Sequence, residues 1–81
     1  MRAVDHTVER LPEWTNTIRR LYLKDERFRA ICEDFALSIG ALRRFEDRSD
    51  AHLRPEVEDY RAMVRELEDE LRSYLAAAGT A

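Results

Sequence analysis

Apolar residues return at intervals of three and four along most of this 81-residue chain. That spacing places them on one stripe of a helix and does not fit the strict alternation of a half-buried strand. With Ile18 set as heptad position a, Asp25, Cys32 and Ile39 also fall at a, and Leu21, Phe28, Phe35 and Leu42 fall at d. Leu11, Trp14 and Tyr22 extend the stripe at its start, and Ile31 and Phe45 widen it. A second run repeats at Val57, Tyr60, Val64, Leu67, Leu71 and Tyr74, with Met63 and Leu75 beside it. Residues 47–54 break the pattern, and Ser49 and Asp50 are turn and cap formers. Two Gly and two Pro in the whole chain leave helices little to interrupt them. The predicted class is all-α.

The end signals place the helices at about 12–24, 26–47 and 55–77. Pro12 and Pro55 suit first-turn positions, where a missing N–H costs nothing. The heptad register runs unbroken through Asp25, so one long helix from Pro12 to about Asp47 is allowed. So is a break at Lys24–Asp25, with Asp25 capping the second helix; a charge on the seam argues for the break. Residues 1–10 show no sustained period, and 1–11 read as a flexible arm. Residues 12–78 then form a single helical domain, and Gly79 stops the last helix, leaving 79–81 as a frayed tail. In that helix Arg65–Asp69 and Glu68–Arg72 have the spacing of i,i+4 ion pairs.

Two helices of some 22 residues joined by a short loop must run antiparallel, each about 33 Å long. The expected architecture is therefore a coiled-coil-like helical hairpin with a short N-terminal helix. One partner helix cannot cover Phe28, Phe35 and Phe45 together, and so small a core leaves little net stability. Either the helix carrying Trp14 folds back, or two hairpins pair into a bundle. We expect a homodimer, with the N-terminal helix adding contacts in both cases. Ala36 and Gly40 share one helix face, which reads equally well as a notch for a neighbouring helix or as an inconsequential exposed glycine.

Chemistry is hard to place on these seams. His6, His52 and Cys32 lack the i,i+3 or i,i+4 spacing of helical metal ligands, and no C-x-x-C or H-x-x-x-H occurs. Cys32, on a seam beside Glu33 and Asp34, is expected to be a buried and unreactive thiol. Glu66, Glu68, Asp69 and Glu70 lie on outward positions, without the Glu-x-x-His of a di-metal bundle. No glycine-rich phosphate loop is present. We expect no enzyme activity, no cofactor and no metal.

The formal charge is −3, and thirteen of the fourteen basic residues are arginine. Residues 55–81 carry seven acidic residues against Arg61, Arg65 and Arg72, while the rest of the chain is balanced. A generic nucleic-acid binder carries a positive surplus. An accessory role on nucleic acid would have to use Arg19, Arg20, Lys24, Arg27 and Arg29, then Arg43, Arg44 and Arg48, on the first two predicted helices. No run approaches the roughly 18 apolar residues of a membrane span. The N-terminus lacks the apolar stretch of a secretory signal, and a lone thiol fits a reducing compartment. A cytoplasmic protein is expected.

Arg27-Phe28 followed by Ile31 and Phe35, then Leu42-Arg43-Arg44-Phe45-Glu46, resembles the YdcH-like family of short bacterial proteins. Pro55-Glu56-Val57-Glu58 through Leu67-Glu68-Asp69-Glu70-Leu71 to Leu75 is similar to that family's closing helix. The resemblance covers about residues 18–75. It departs in having few lysines, a loop with Asp-Ala-His-Leu instead of glycines, and Tyr60 at a usually aliphatic position. It implies a small helical hairpin and no activity to transfer. The reading is a non-enzymatic interaction module that pairs with itself and with an unknown protein. Its core and interaction seam would be Trp14, Ile18, Leu21, Phe28, Phe35, Ile39, Leu42, Val57, Tyr60, Val64, Leu67, Leu71 and Tyr74.

Overall fold

A computed structural model describes residues 2–79, and they form four α-helices and no strand. The all-α expectation holds. The helices are α1 (Ala3–Arg10), α2 (Thr15–Lys24), α3 (Glu26–Glu46) and α4 (Pro55–Gly79). Short 3-10 turns occupy Pro12–Trp14 and Ala51–Leu53. The fold measures 46 × 22 × 21 Å.

α3 and α4 lie side by side and run in opposite directions. Phe28 meets Tyr74 near one end with ring centroids 5.4 Å apart, and Phe45 stacks on Tyr60 at 5.4 Å near the other. Between them the Ser38 hydroxyl donates to Met63 Sδ at 3.1 Å. Arg61 ties the loop end together, reaching Glu46 at 3.0 Å and Glu58 at 2.6 Å. Asp50 anchors the loop by accepting from Arg48 and Arg54 at 3.2 and 3.1 Å.

The helix break lies at Asp25. This residue is extended, with φ −115° and ψ 108°, and its carboxylate accepts the Phe28 N–H at 3.1 Å. It thereby satisfies one of the four orphan donors at the start of α3. Arg29 closes α2 from the other side, donating to the carbonyls of Tyr22 and Leu23 at 2.9 and 3.2 Å. A single side chain thus satisfies two orphan carbonyls of α2 and fixes its angle to α3.

Of the flexible arm expected over 1–11, residues 2–11 are instead part of the fold, and Met1 lies outside the described residues. Ala3–Arg10 is helical, Asp5 accepts the Arg2 backbone N–H at 3.2 Å, and Val4, Thr7 and Leu11 are buried. Eight residues cannot hold a helix alone, so packing holds it. α1 lies along α3 and joins one core with Ile18, Phe28, Phe35, Val64, Leu71 and Leu75. Phe28 and Phe35 are fully buried as a result, which two helices alone would not achieve.

Three smaller expectations also change. Pro12 opens a 3-10 turn and α2 proper starts at Thr15, whose hydroxyl donates to the Pro12 carbonyl. Glu68 and Arg72 pair at 3.2 Å, but among the described residues Arg65 and Asp69 form no ion pair. α4 extends to Gly79; the remainder of the predicted tail lies outside the described residues. The visible role of Gly79 is spatial, because a Cβ there would sit 2.9 Å from the Trp14 ring.

Gly40 serves no notch, since a Cβ placed on it would meet nothing within 4 Å. Gly40→Ala is therefore expected to stabilise the fold by about 1 kcal/mol, through helix propensity alone. Urea denaturation would show a higher midpoint with an unchanged slope; a lower midpoint would mean that α3 is packed against something at this position.

Candidate functional site

The residues assigned to the seam divide by depth. Ile18, Phe28, Phe35, Val57, Val64 and Leu71 are buried, while Trp14, Leu21, Ile39, Leu42, Tyr60, Leu67 and Tyr74 are half-buried. Val4, Thr7, Val8 and Leu11 join the same core and were not among them. Their spacing from Val4 through Val8 and Leu11 to Trp14 was the available signal.

The groups with catalytic or ligating chemistry are scattered. His6 lines a small hollow of about 130 Å³ with Glu9, Arg10, Ile39 and Arg43, between α1 and α3. His52 is exposed in the 47–54 loop, and Cys32 is fully buried in the core. Burial pushes the Cys32 thiol up and Glu33 adds to it, while the neighbouring Thr7 hydroxyl works the other way. A thiol held protonated in this way is a poor nucleophile. Among the described residues no three His, Cys, Asp or Glu side chains gather as metal ligands would.

The arginines do not form one stripe. Arg29 is committed to the α2 carbonyls and lies 5.8 Å from the Tyr22 ring centroid. Arg48 pairs with Asp50. Arg43 and Arg44 are adjacent in sequence but border different hollows, one against α1 and one beside α4. A continuous phosphate-binding track would need them on one face.

What the fold leaves open is the side of the α3–α4 pair away from α1. Asp34, Leu37, Ser38, Ala41 and Arg44 from α3, with Tyr60, Met63 and Leu67 from α4, line a groove of about 490 Å³. Glu56 and Asp59 line an adjoining hollow that shares Tyr60 and Met63. Leu37 is 72% exposed and Met63 45%, so the groove presents large apolar side chains to water. Leu23 and Leu53 are also exposed, but on the end of α2 and in the loop, away from this groove. A mixture of apolar floor and charged rim is the usual anatomy of a protein contact surface.

One polar link holds the other end of the fold. The Tyr74 hydroxyl donates to Asp25, across the junction of α2, α3 and α4. This bond, then the Phe28 N–H, holds the Asp25 carboxyl below the usual carboxylate range, and Asp25 pushes Tyr74 above the usual phenol value. A carboxyl lowered by folding contributes stability above its unfolded pKa and loses it as the pH falls through its folded pKa. A phenol raised by folding contributes below its unfolded pKa and loses it as the pH rises. The link is thus fully present between about pH 4 and pH 10. Tyr74→Phe should lower stability within that window and flatten the decline at both edges, as measured by urea denaturation across pH. Parallel profiles for the two proteins would show that the link contributes nothing.

No helix among the described residues is long and apolar enough to cross a membrane. No family model, no curated protein and no solved structure matches this chain.

Proposed function

We propose that this chain is a non-enzymatic helical interaction module that pairs with a second copy of itself through the open side of the α3–α4 hairpin. The observation that carries the reading is Leu37, 72% exposed at the centre of a groove that Met63 and Tyr60 continue. A helix normally keeps a stripe of that kind for a neighbour. The chain has covered its other faces with α1 and α2 and has left this one bare. The resemblance of residues 18–75 to YdcH-like proteins fits such a module and assigns it no activity.

Light scattering across protein concentrations tests the reading. The wild-type chain is expected to reach twice 9.6 kDa. Leu37→Glu should hold it at the single-chain mass without altering the helical spectrum, since the side chain is already in water. A wild-type protein that stays monomeric up to about 1 mM would end the self-pairing reading, because specific interfaces generally bind more tightly than that. A Leu37→Glu protein that still dimerises would remove this face from it.

A further inference from the structure

The open face carries more than apolar exposure. On α3 a second three-four register runs through Arg27, Ala30, Asp34, Leu37, Ala41 and Arg44, and all but Ala41 are exposed. On α4 the matching register is Glu56, Asp59, Met63, Glu66 and Glu70, exposed apart from a half-buried Glu56. Positions three and four apart share one side of a helix, so each set forms a stripe along the groove. The α3 stripe has two arginines and one aspartate. The α4 stripe has four acids and no base. One Glu56 carboxylate oxygen is buried without a hydrogen-bond partner.

From this we infer that the second copy docks with its α3 stripe on the α4 stripe of the first, about a two-fold axis parallel to the helices. This rests on the self-pairing reading above and adds the arrangement. Such an axis keeps height along the bundle and exchanges α3 for α4, so residues level with each other inside one chain meet across the interface. Ser38 lies level with Met63 and Phe45 with Tyr60, which sets Arg44 level with Asp59. Arg44 therefore meets the partner's Asp59, twice by symmetry. Leu37 comes over the partner's Met63.

The competing arrangement turns α3 onto α3 and α4 onto α4. It would set the acidic stripe against itself, with Asp59 facing the partner's Glu66 and Glu70. Like charges placed opposite one another are a strong bias against an interface. Both arrangements give every helix antiparallel neighbours, the usual form of a four-helix bundle, so the charges decide between them. A face about 30 Å long and about 20 Å wide offers on the order of 600 Å² per protomer, which totals about the lower edge of specific interfaces. The dimer is thus expected to be weak and sensitive to salt.

A charge exchange tests the arrangement. Among the described residues the side chains of Arg44, Asp59 and Asp34 make no hydrogen bond or ion pair, and all three are exposed, so substitution is expected to leave the fold as it is; circular dichroism checks this. Arg44→Asp alone and Asp59→Arg alone each set like charges together twice, and each should weaken the dimer at least about tenfold. Mixed in equal amounts, the two variants should pair again, because both contacts of the mixed dimer are Arg against Asp. Asp34→Arg should tighten the dimer, since Asp34 lies between the levels of the partner's Glu66 and Glu70. Failure of the mixture to pair overturns the arrangement, as does dissociation by Asp34→Arg, which the α3-on-α3 alternative requires. If Leu37→Glu dissociates the dimer while both single charge variants remain dimeric, the arrangement falls and the self-pairing reading stands. A monomeric wild type overturns both.

Discussion

Phe35→Asp is expected to leave the chain unfolded at room temperature. Phe35 is fully buried at the middle of α3, within the core that all four helices share. Truncating a buried phenylalanine to alanine costs about 3–5 kcal/mol through lost transfer and the cavity left behind. Aspartate adds an ionised group with no partner in reach, and the protein must either hydrate it or protonate it at further cost. An 81-residue domain has a total stability of roughly 4–12 kcal/mol. The substitution should exceed or exhaust it, with loss of the helical signal and of any cooperative melt. Asp69→Asn, on an exposed position outside both the core and the open face, should stay within about 0.5 kcal/mol of the wild type. If Phe35→Asp melts cooperatively near the wild-type temperature, the α3 register deduced from the heptads is wrong.

That register was readable because α3 and α4 are long. Over 21 and 25 residues the three-four spacing repeats enough times to exclude other periods. It also identified Asp25 as the weak point of the seam, although spacing alone left two outcomes open. The break is held by the Asp25 cap on Phe28, by Arg29 on the end of α2, and by Tyr74, which reaches Asp25 from 49 residues away, an interval no helical spacing connects. The buried side of α3 is wider than positions a and d, because Ile31 and Ser38, both at position g, are covered as well. A helix with neighbours on two sides needs the broader stripe. The sequence showed which residues are apolar but not how many neighbours each face would have. Leu37 falls at position f of the register, outside the seam, so its exposure follows from the spacing; the groove it borders does not, because that depends on where α4 and α1 settle. The charges of the open face were visible as composition, an acidic last third, and became a pattern only once α3 and α4 stood level with each other.

Leu11→Ala is expected to cost about 2–5 kcal/mol, as large a loss as truncation of a central seam residue. Leu11 lies between α1 and the Pro12–Trp14 turn, at the end of the segment expected to be a flexible arm, although its spacing from Trp14 already put it on the stripe. It is nevertheless fully buried, and its N–H is bonded to the Thr7 carbonyl at 2.9 Å. The segment was hard to read for two reasons. Eight helical residues are too few to be stable alone, and Pro12 interrupts the run just after Leu11. α1 forms because Val4, Val8 and Leu11 have a surface on which to lie, and that surface is α3. Removing three carbons from Leu11 should weaken the α1 contact and the covering of Phe28 and Phe35 together. Urea denaturation measures the cost, and hydrogen exchange of the 3–10 amides reports whether α1 comes loose before the rest. Leu37→Ala is the matched control: the same atoms are removed from a side chain already in water, with an expected change in monomer stability within about 0.5 kcal/mol. Equal and small effects at the two leucines would return residues 1–11 to the status of an arm, and with it the covering that leaves the α3–α4 groove as the open face.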